Sequence, residues 1–448
     1  MPGRSLRLFT RLTTLLLVAA LLVAPSLDRP GDESASPSDA PSASDRIDAD
    51  DLELAVNRNW RPRKGTIFSN PLGNRAQTYK IYNQVRRGIN HSRRGSDIFI
   101  ATWNLRSTAI VNDLLRAQRR GVKVRLVMDS RNTSDPRNEH FYRLRRELRQ
   151  YNRANSLPGH RRSAAKLCQK SCRGTKGHAH AKVYMFSHTG AARRVVMQSS
   201  FNATVAGAVN QWNDMFTWTG NRKVWGFSTK VFRQMWRDRP VRPPFTQMRA
   251  GKVQFYFTPF GSVKRDKALR LLKQVRCKGA RNTRHNRTVV RVAPDAMRHK
   301  HGVRYARQFV RMHRQGCDVK IGYTVLAIKI KRFFDNNNVP LRHLVVDRDG
   351  DRIFDKYFHM KSFSIRGRIG NNRRDFAVMN GSANMSRTAA VSDENIMIIR
   401  GHRGHTMKTQ RHINWWFHNF PRNARATTSY RGDVDPYAQI KRETSLGG

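Results

Sequence analysis

Two copies of one short pattern constrain this chain more than anything else in it. The first lies in Lys176–Asn202, KGHAHAKVYMFSHTGAARRVVMQSSFN, as His180-Ala181-Lys182 followed by Ser199-Ser200-Phe201-Asn202. The second is His359-Met360-Lys361 followed by Gly381-Ser382-Ala383-Asn384. In each copy the HxK opens a strand-like run, Val183 to Phe186 in one and Phe363 with Ile365 in the other. The Ser-x-Asn ends a further apolar run, Val195–Met197 or Phe376–Met379. On an extended strand residues i and i+2 share a face, so each copy presents its His and Lys together. A single HxK is unremarkable in a chain with 86 Lys and Arg and 16 His. Two copies in the same order, each with its Asn a similar interval downstream, are hard to produce by chance.

The elements around the two copies repeat as well. In the first half the periodicity predicts a helix over Tyr79–Ile89 and a strand over Asp97–Trp103. A helix follows with Ile110, Leu114 and Ala117 on one face, then a strand over Val122–Met128 and a charged helix over Glu139–Tyr151. After the motif come a strand at Met215–Trp218 and a helix carrying Phe227, Val231 and Met235. The second half predicts strands at Val253–Phe257, Thr288–Ala293 and Val319–Tyr323, with helices at Ala268–Val275 and Val303–Met312 between them. A helix with Ile413, Trp416 and Phe420 closes it. Strands alternating with helices, twice over, imply two α/β domains.

The paired HxK…(G/S)SxN pattern resembles the phospholipase D superfamily, and CRGTKGHAHAKVYMFS resembles its secreted actinobacterial members. The resemblance covers roughly residues 60–420 and implies two similar α/β domains packed with pseudo-twofold symmetry, the active site in the cleft between them. One departure occurs in both copies. The family pattern is HxKxxxxD, and its Asp positions hold Ser187 and Arg366 here. The expected organisation is a signal peptide at 1–25, a linker at 26–55, domains at 56–238 and 251–421 joined through 239–250, and a polar tail at 422–448.

The chemistry needs these residue types. One His attacks phosphorus, and a covalent phosphohistidine divides a hard displacement into two easier ones. The other His protonates the leaving oxygen. Two Lys and two Asn then meet the charge that develops on the phosphoryl oxygens. The resemblance implies His180 as nucleophile and His359 as general acid, the reverse remaining open, with Lys182, Lys361, Asn202 and Asn384 around the phosphoryl group. Each His also needs an orienting partner, preferably a carboxylate. Glu394 in Asp393-Glu394-Asn395 matches the family's carboxylate; aligning Thr219-Gly220 with Arg400-Gly401 sets Asn213 of the first copy's NQWND opposite Glu394, so the carboxylate Asp214 is shifted by one position. Ser200 and Ser382 are either phosphate contacts or turn formers. No cofactor or metal is expected.

The implied activity is a secreted phosphodiesterase that hydrolyses phospholipid head-group diesters. A nuclease of the same chemistry is the second reading. A non-catalytic binder of anionic lipid or cell-wall polymer is the third. A net charge of +55 suits a phospholipid or membrane surface, a nucleic acid or another polyanion, without choosing between them. A monomer is expected. Export is read from Arg4, Arg7 and Arg11 before the apolar run Leu15–Ala24, which is short for a membrane span. Residues 28–50, rich in Ser, Pro and Asp, read as disordered. Of three possible connectivities for four cysteines, Cys168 with Cys172 and Cys277 with Cys317 is the simplest. A zinc site at Cys168, Cys172, His178 and His180 is the alternative. His178, His188, His299, His301 and His405 read as a solvated basic surface, and Trp415-Trp416-Phe417 as core.

Overall fold

Continuous apolar runs in the central strands decide the architecture. The computed structural model describes residues 56–134, 137–421 and Tyr437. The leader, the linker up to residue 55 and the tail from 422, Tyr437 excepted, lie outside the described residues. In the first half β1 (Gly65–Phe68), β2 (Asp97–Thr102), β3 (Lys123–Asp129), β4 (Ala164–Cys168), β5 (Val183–Thr189), β6 (Ala192–Ser199) and β7 (Asp214–Trp218) form one sheet. Its order is β1-β7-β6-β5-β2-β3-β4. Along β5, Tyr184 and Phe186 enter a core with helices α1 (Lys80–Asn90), α2 (Thr108–Arg119) and α3 (Glu139–Ala154). Val183 and Met185 enter a different core on the opposite face. A sheet with apolar residues on both faces must be covered twice, and here it is.

The second half repeats the arrangement. Strands β8 (Thr246–Ala250), β9 (Val253–Phe257), β10 (Val289–Pro294), β11 (Asp318–Tyr323), β12 (Leu341–His343), β13 (Lys361–Ile369), β14 (Asn372–Gly381) and β15 (Asn395–Arg400) run in the order β8-β9-β15-β14-β13-β10-β11-β12. With β8 set aside, each position matches its counterpart in the first sheet. Helices α5 (Lys267–Lys273), α6 (His299–Arg314) and α7 (Ile328–Asp335) cover one face through Leu272, Phe309 and Phe334. Mixed α/β structure with two such sheets is the expected fold class.

The closing helices α4 (Arg222–Arg237) and α8 (Arg403–Asn419) sit where the halves meet. Val231 and Phe232 of α4 share a core with Val183 and Val196 of the first sheet and Phe255, Val378 and Ile399 of the second. On α8 the His412 ring stacks on Phe68 of β1 at 3.9 Å. Trp416 is buried as expected, whereas its neighbour Trp415 is exposed. No helix among the described residues is long and apolar enough to cross a membrane.

Disulfides join Cys168 to Cys172 and Cys277 to Cys317. The first consumes both sulfurs of the zinc alternative. His301 departs from the solvated surface expected of it: it is buried, with Nε2 3.0 Å from Asp266 Oδ2.

Between the two sheets the apolar core gives way to a seam of buried amides. Gln198 Nε2 donates to Asn380 Oδ1 at 3.0 Å, and Asn380 Nδ2 donates to Asp214 Oδ2 at 2.7 Å. Asn395 Nδ2 donates to Gln198 Oε1 at 2.8 Å, while its Oδ1 accepts the Lys182 backbone N–H at 2.7 Å. All four side chains are buried. Breaking one bond strands its partners, which costs about 1–3 kcal/mol for each group left unpaired. Asn395→Ala should therefore lower unfolding stability by about 2–4 kcal/mol. A denaturation midpoint that does not move would show that the seam contributes nothing.

Candidate active site

The loops before the two motif strands cross between the halves. Residues before His180 bridge to the residue before Glu394: the His180 N–H donates to Asp393 O at 3.0 Å, and the Asp393 N–H to His178 O at 2.8 Å. In the other copy Tyr357-Phe358 pairs in parallel with Gln211-Trp212, and the His359 N–H donates to Trp212 O at 3.0 Å. Each histidine is thus oriented by the opposite half. His180 Nδ1 lies 2.8 Å from Glu394 Oε2, and His359 Nδ1 lies 2.9 Å from Asn213 Oδ1.

Both histidines, with Asn202 and Asn384, line one cavity of about 540 Å³. Lys182 and Lys361 lie behind it, fully buried, each curling its Nζ onto the carbonyl of its own histidine at 2.7 and 2.6 Å. Asn384 Oδ1 accepts the Ala296 N–H at 3.3 Å, while Asn202 Oδ1 is buried with no hydrogen-bond partner. Of the expected residues, these six come together.

Glu394 joins them as the partner of His180, while Ser200, Ser382 and Asp214 are placed differently. Ser200 and Ser382 do not line the cavity. The Ser200 hydroxyl donates to Asn213 Oδ1 at 2.8 Å and that of Ser382 to Glu394 Oε2 at 2.5 Å, so each holds a histidine's partner rather than facing a ligand. Asp214, expected beside a histidine, belongs to the amide seam, and Asn213 stands where a carboxylate was sought. Ser187 and Arg366 lie five residues along β5 and β13 from the motif lysines, about 16 Å away at 3.3 Å per residue. Ser187 Oγ accepts the Asp97 N–H, and Arg366 lies with Arg291 and Asp318 on another surface. The departure from the HxKxxxxD pattern removes nothing from the cavity.

Other cavity residues gave no sequence signal. Asp295, just past β10, pairs with Lys361 at 3.0 Å. Trp103, just past β2, puts its ring 5.3 Å from that of His180, and Arg131 lies over it at 5.8 Å. Arg131 is held by the buried Asp129, whose other oxygen accepts the Ala179 N–H at 2.8 Å. Tyr437 reaches the cavity from the tail and donates to Asp295 Oδ1 at 3.1 Å.

Burial governs the electrostatics. It pushes His180 and His359 well below the usual imidazole range, reinforced by Lys182 and Lys361, and it lowers both lysines. The same burial drives Glu394 up to about 8, against the pull of Lys182 and the Ser382 hydrogen bond. Each charge is costly here until an opposite one arrives, so an anion entering the cavity stabilises the protonated lysines and imidazoles. The arrangement suits a tetrahedral anion flanked by two imidazoles.

Asp214 is raised to about 6, chiefly by burial. A carboxyl whose folded value exceeds the unfolded one favours the native state when protonated and opposes it once ionised. Its penalty is absent below about pH 4 and complete above about pH 6. Asp214→Asn should therefore gain stability relative to wild type as pH rises through that window, by at most about 3 kcal/mol. Parallel denaturation series at pH 4 and 8 would read this, and an equal difference at both would refute it.

Residues 85–236 match a protein-family model described as the phospholipase D-like domain of cardiolipin synthase. Among solved structures the chain is similar to phosphatidylserine synthase of Haemophilus influenzae, with 10% identity over 84% of this chain and 92% of that one, and a TM-score of 0.56. It is also similar to polyphosphate kinase of Porphyromonas gingivalis, with 15% identity and a TM-score of 0.48 over 85% of this chain, which spans 55% of the kinase. A third, the phospholipase D family member Nuc of Salmonella typhimurium, shares 16% identity over 40% of this chain and 96% of its own, at a TM-score of 0.29. No curated protein matches the chain.

Proposed function

We propose that this chain, which carries a phospholipase D-like domain, is an exported hydrolase that cleaves phospholipid head-group diesters through a phosphohistidine. One observation supports the reading above others: a histidine from each half lines one cavity, each with its own Lys behind it and its own Asn beside it. In the first step one imidazole Nε2 bonds to phosphorus, the bond to the leaving oxygen breaks, and the second imidazole gives that oxygen its proton. In the second step the now neutral imidazole takes a proton from water. The water oxygen bonds to phosphorus and the P–N bond breaks. The phosphoryl oxygens draw on Lys182, Lys361, Asn202 and Asn384. The lipid substrate is favoured by the matched family model, and export by the apolar leader and the two disulfides.

A nucleic-acid substrate is the second reading, favoured by Arg106, Arg131 and Arg298 at the cavity wall and by the net charge of +55. The two separate by salt. Cleavage of a polyanion should fall steeply between about 50 and 200 mM salt, whereas hydrolysis of a zwitterionic lipid should change little. DNA cleavage in EDTA that is lost in His180→Ala, with no lipid turnover, would replace the first reading by the second.

With mixed phospholipids, His180→Ala and His359→Ala should each lose at least about a hundredfold in turnover. With a nitrophenyl diester, whose leaving group needs little protonation, the variant lacking the acid should recover a burst and the variant lacking the nucleophile should not. If neither substitution affects a measured wild-type activity, the shared site is wrong. Ser187→Ala should lower stability by about 1 kcal/mol through the lost Asp97 bond while leaving kcat within twofold. A larger fall in kcat would place that strand end in the reaction.

A further inference from the structure

The second motif Asp position carries a cation, and the protein serves that cation poorly. Arg366 sits on β13 opposite Val289 of β10, on the face covered by α8. A second cavity of about 460 Å³ opens there, and Val289, Met407, Arg411, Trp415 and His418 are among the residues around it. Arg366 is half-buried, its Nε is buried without a hydrogen-bond partner, and its Nη1 meets the Met407 sulfur at 3.9 Å. The carboxylate in the wall, Asp318, accepts from Arg291 Nη2 at 2.7 Å, and Arg291 Nε donates to Asn414 Oδ1 at 2.7 Å. Burial lowers Arg366 from the usual guanidinium value, and Arg291 and Arg403 add to that effect against the pull of Asp318. A guanidinium held with unmet donors is costly, and an arriving anion would supply the acceptors it lacks. Ser187, at the same place in the first half, is instead spent on the Asp97 N–H.

The rim of this cavity adds a flat apolar surface. Trp415 is 53% exposed, and among the described residues the other large apolar side chains left exposed are Leu72 and Val205. Trp416, buried next to it, meets the Trp415 ring edge-on at 4.5 Å and holds it in place. We propose that this cavity binds an organic phosphate carrying a flat ring, the chemistry of a nucleotide, with its phosphate on Arg366 and Arg411 and its ring against Trp415. Guanidinium forks match phosphate oxygens in pairs, and an indole face stacks on any base. Met407 and Val289 supply an apolar floor between the two. A bare anion would leave the Trp415 ring and that floor unused. An apolar ligand would leave Arg366 without its acceptors. The site is separate from the catalytic cavity, because Arg366 lies about 16 Å along β13 from Lys361. It therefore does not depend on the reaction carried out there.

The test uses the full-length protein at fixed ionic strength, with adenosine monophosphate, adenosine and inorganic phosphate as separate probes. Titration calorimetry and tryptophan fluorescence should show the nucleotide binding at least about tenfold tighter than either fragment. Arg366→Gln and Trp415→Ala should each weaken that binding at least about fivefold, while Arg366→Lys retains part of it. Inorganic phosphate bound as tightly as the nucleotide would overturn the proposal, since the ring would then contribute nothing. Binding that Arg366→Gln and Trp415→Ala leave unchanged and His180→Ala abolishes would overturn it too, by placing the nucleotide in the catalytic cavity. So would capture of a single-stranded oligonucleotide without the mononucleotide, which would leave only a charged surface. If Arg366→Gln does not fold, the substitution of the exposed Trp415 decides alone: undiminished affinity would overturn the site.

Discussion

Everything in this molecule depends on the exchange of backbone between its halves at the mouth of the cavity. The strand entering His180 is hydrogen-bonded to the residue before Glu394, and the strand entering His359 to the residue before Asn213. Because a main-chain bond tolerates little displacement, this crossing fixes each imidazole against a partner from the other sheet. The amide seam below it and the shared core of Val183, Val196, Phe255 and Val378 then hold the sheets in the register that the crossing requires.

The cavity is charged in kind but not in its resting state. Two lysines, two histidines and the carboxyls of Glu394 and Asp295 are largely buried around one cavity. Burial opposes every charge there, so the site holds its cationic groups at a cost that a bound anion offsets. Asp295 moderates Lys361, and Tyr437 caps Asp295 in turn, whereas among the described residues Lys182 Nζ hydrogen-bonds only the His180 carbonyl. The two sides of the cavity are similar in plan and different in charge.

Much of this was legible in the sequence, and the boundary is physical. The paired HxK and Ser-x-Asn elements predicted which histidines, lysines and asparagines meet, because period-2 strands put them at repeated places. The apolar run Val183–Phe186 predicted a strand, and in the structure it is buried on both faces. Spacing does not report which half a partner comes from, so the crossing was hidden, although the alignment of the two copies had already set Asn213 opposite Glu394. Nor could it report that Ser200 and Ser382 brace those partners. Asp295, Trp103 and Arg131 lie at strand ends whose side chains follow no period, and Tyr437 comes from a tail with no pattern at all. Ser187 and Arg366, at the two motif Asp positions, sit toward the far ends of their strands, which the motif spacing alone does not show to be outside the cavity.

The repeat also bears on how such a site diverges. In a site assembled from two identical subunits one codon writes both copies, so every substitution beside one histidine is made beside the other as well. Holding both copies in one chain removes that tie. Glutamate can persist at 394 while asparagine stands at 213, a combination that no pair of identical subunits could encode. Joining the halves end to end therefore gave this molecule independent spelling for its two sides.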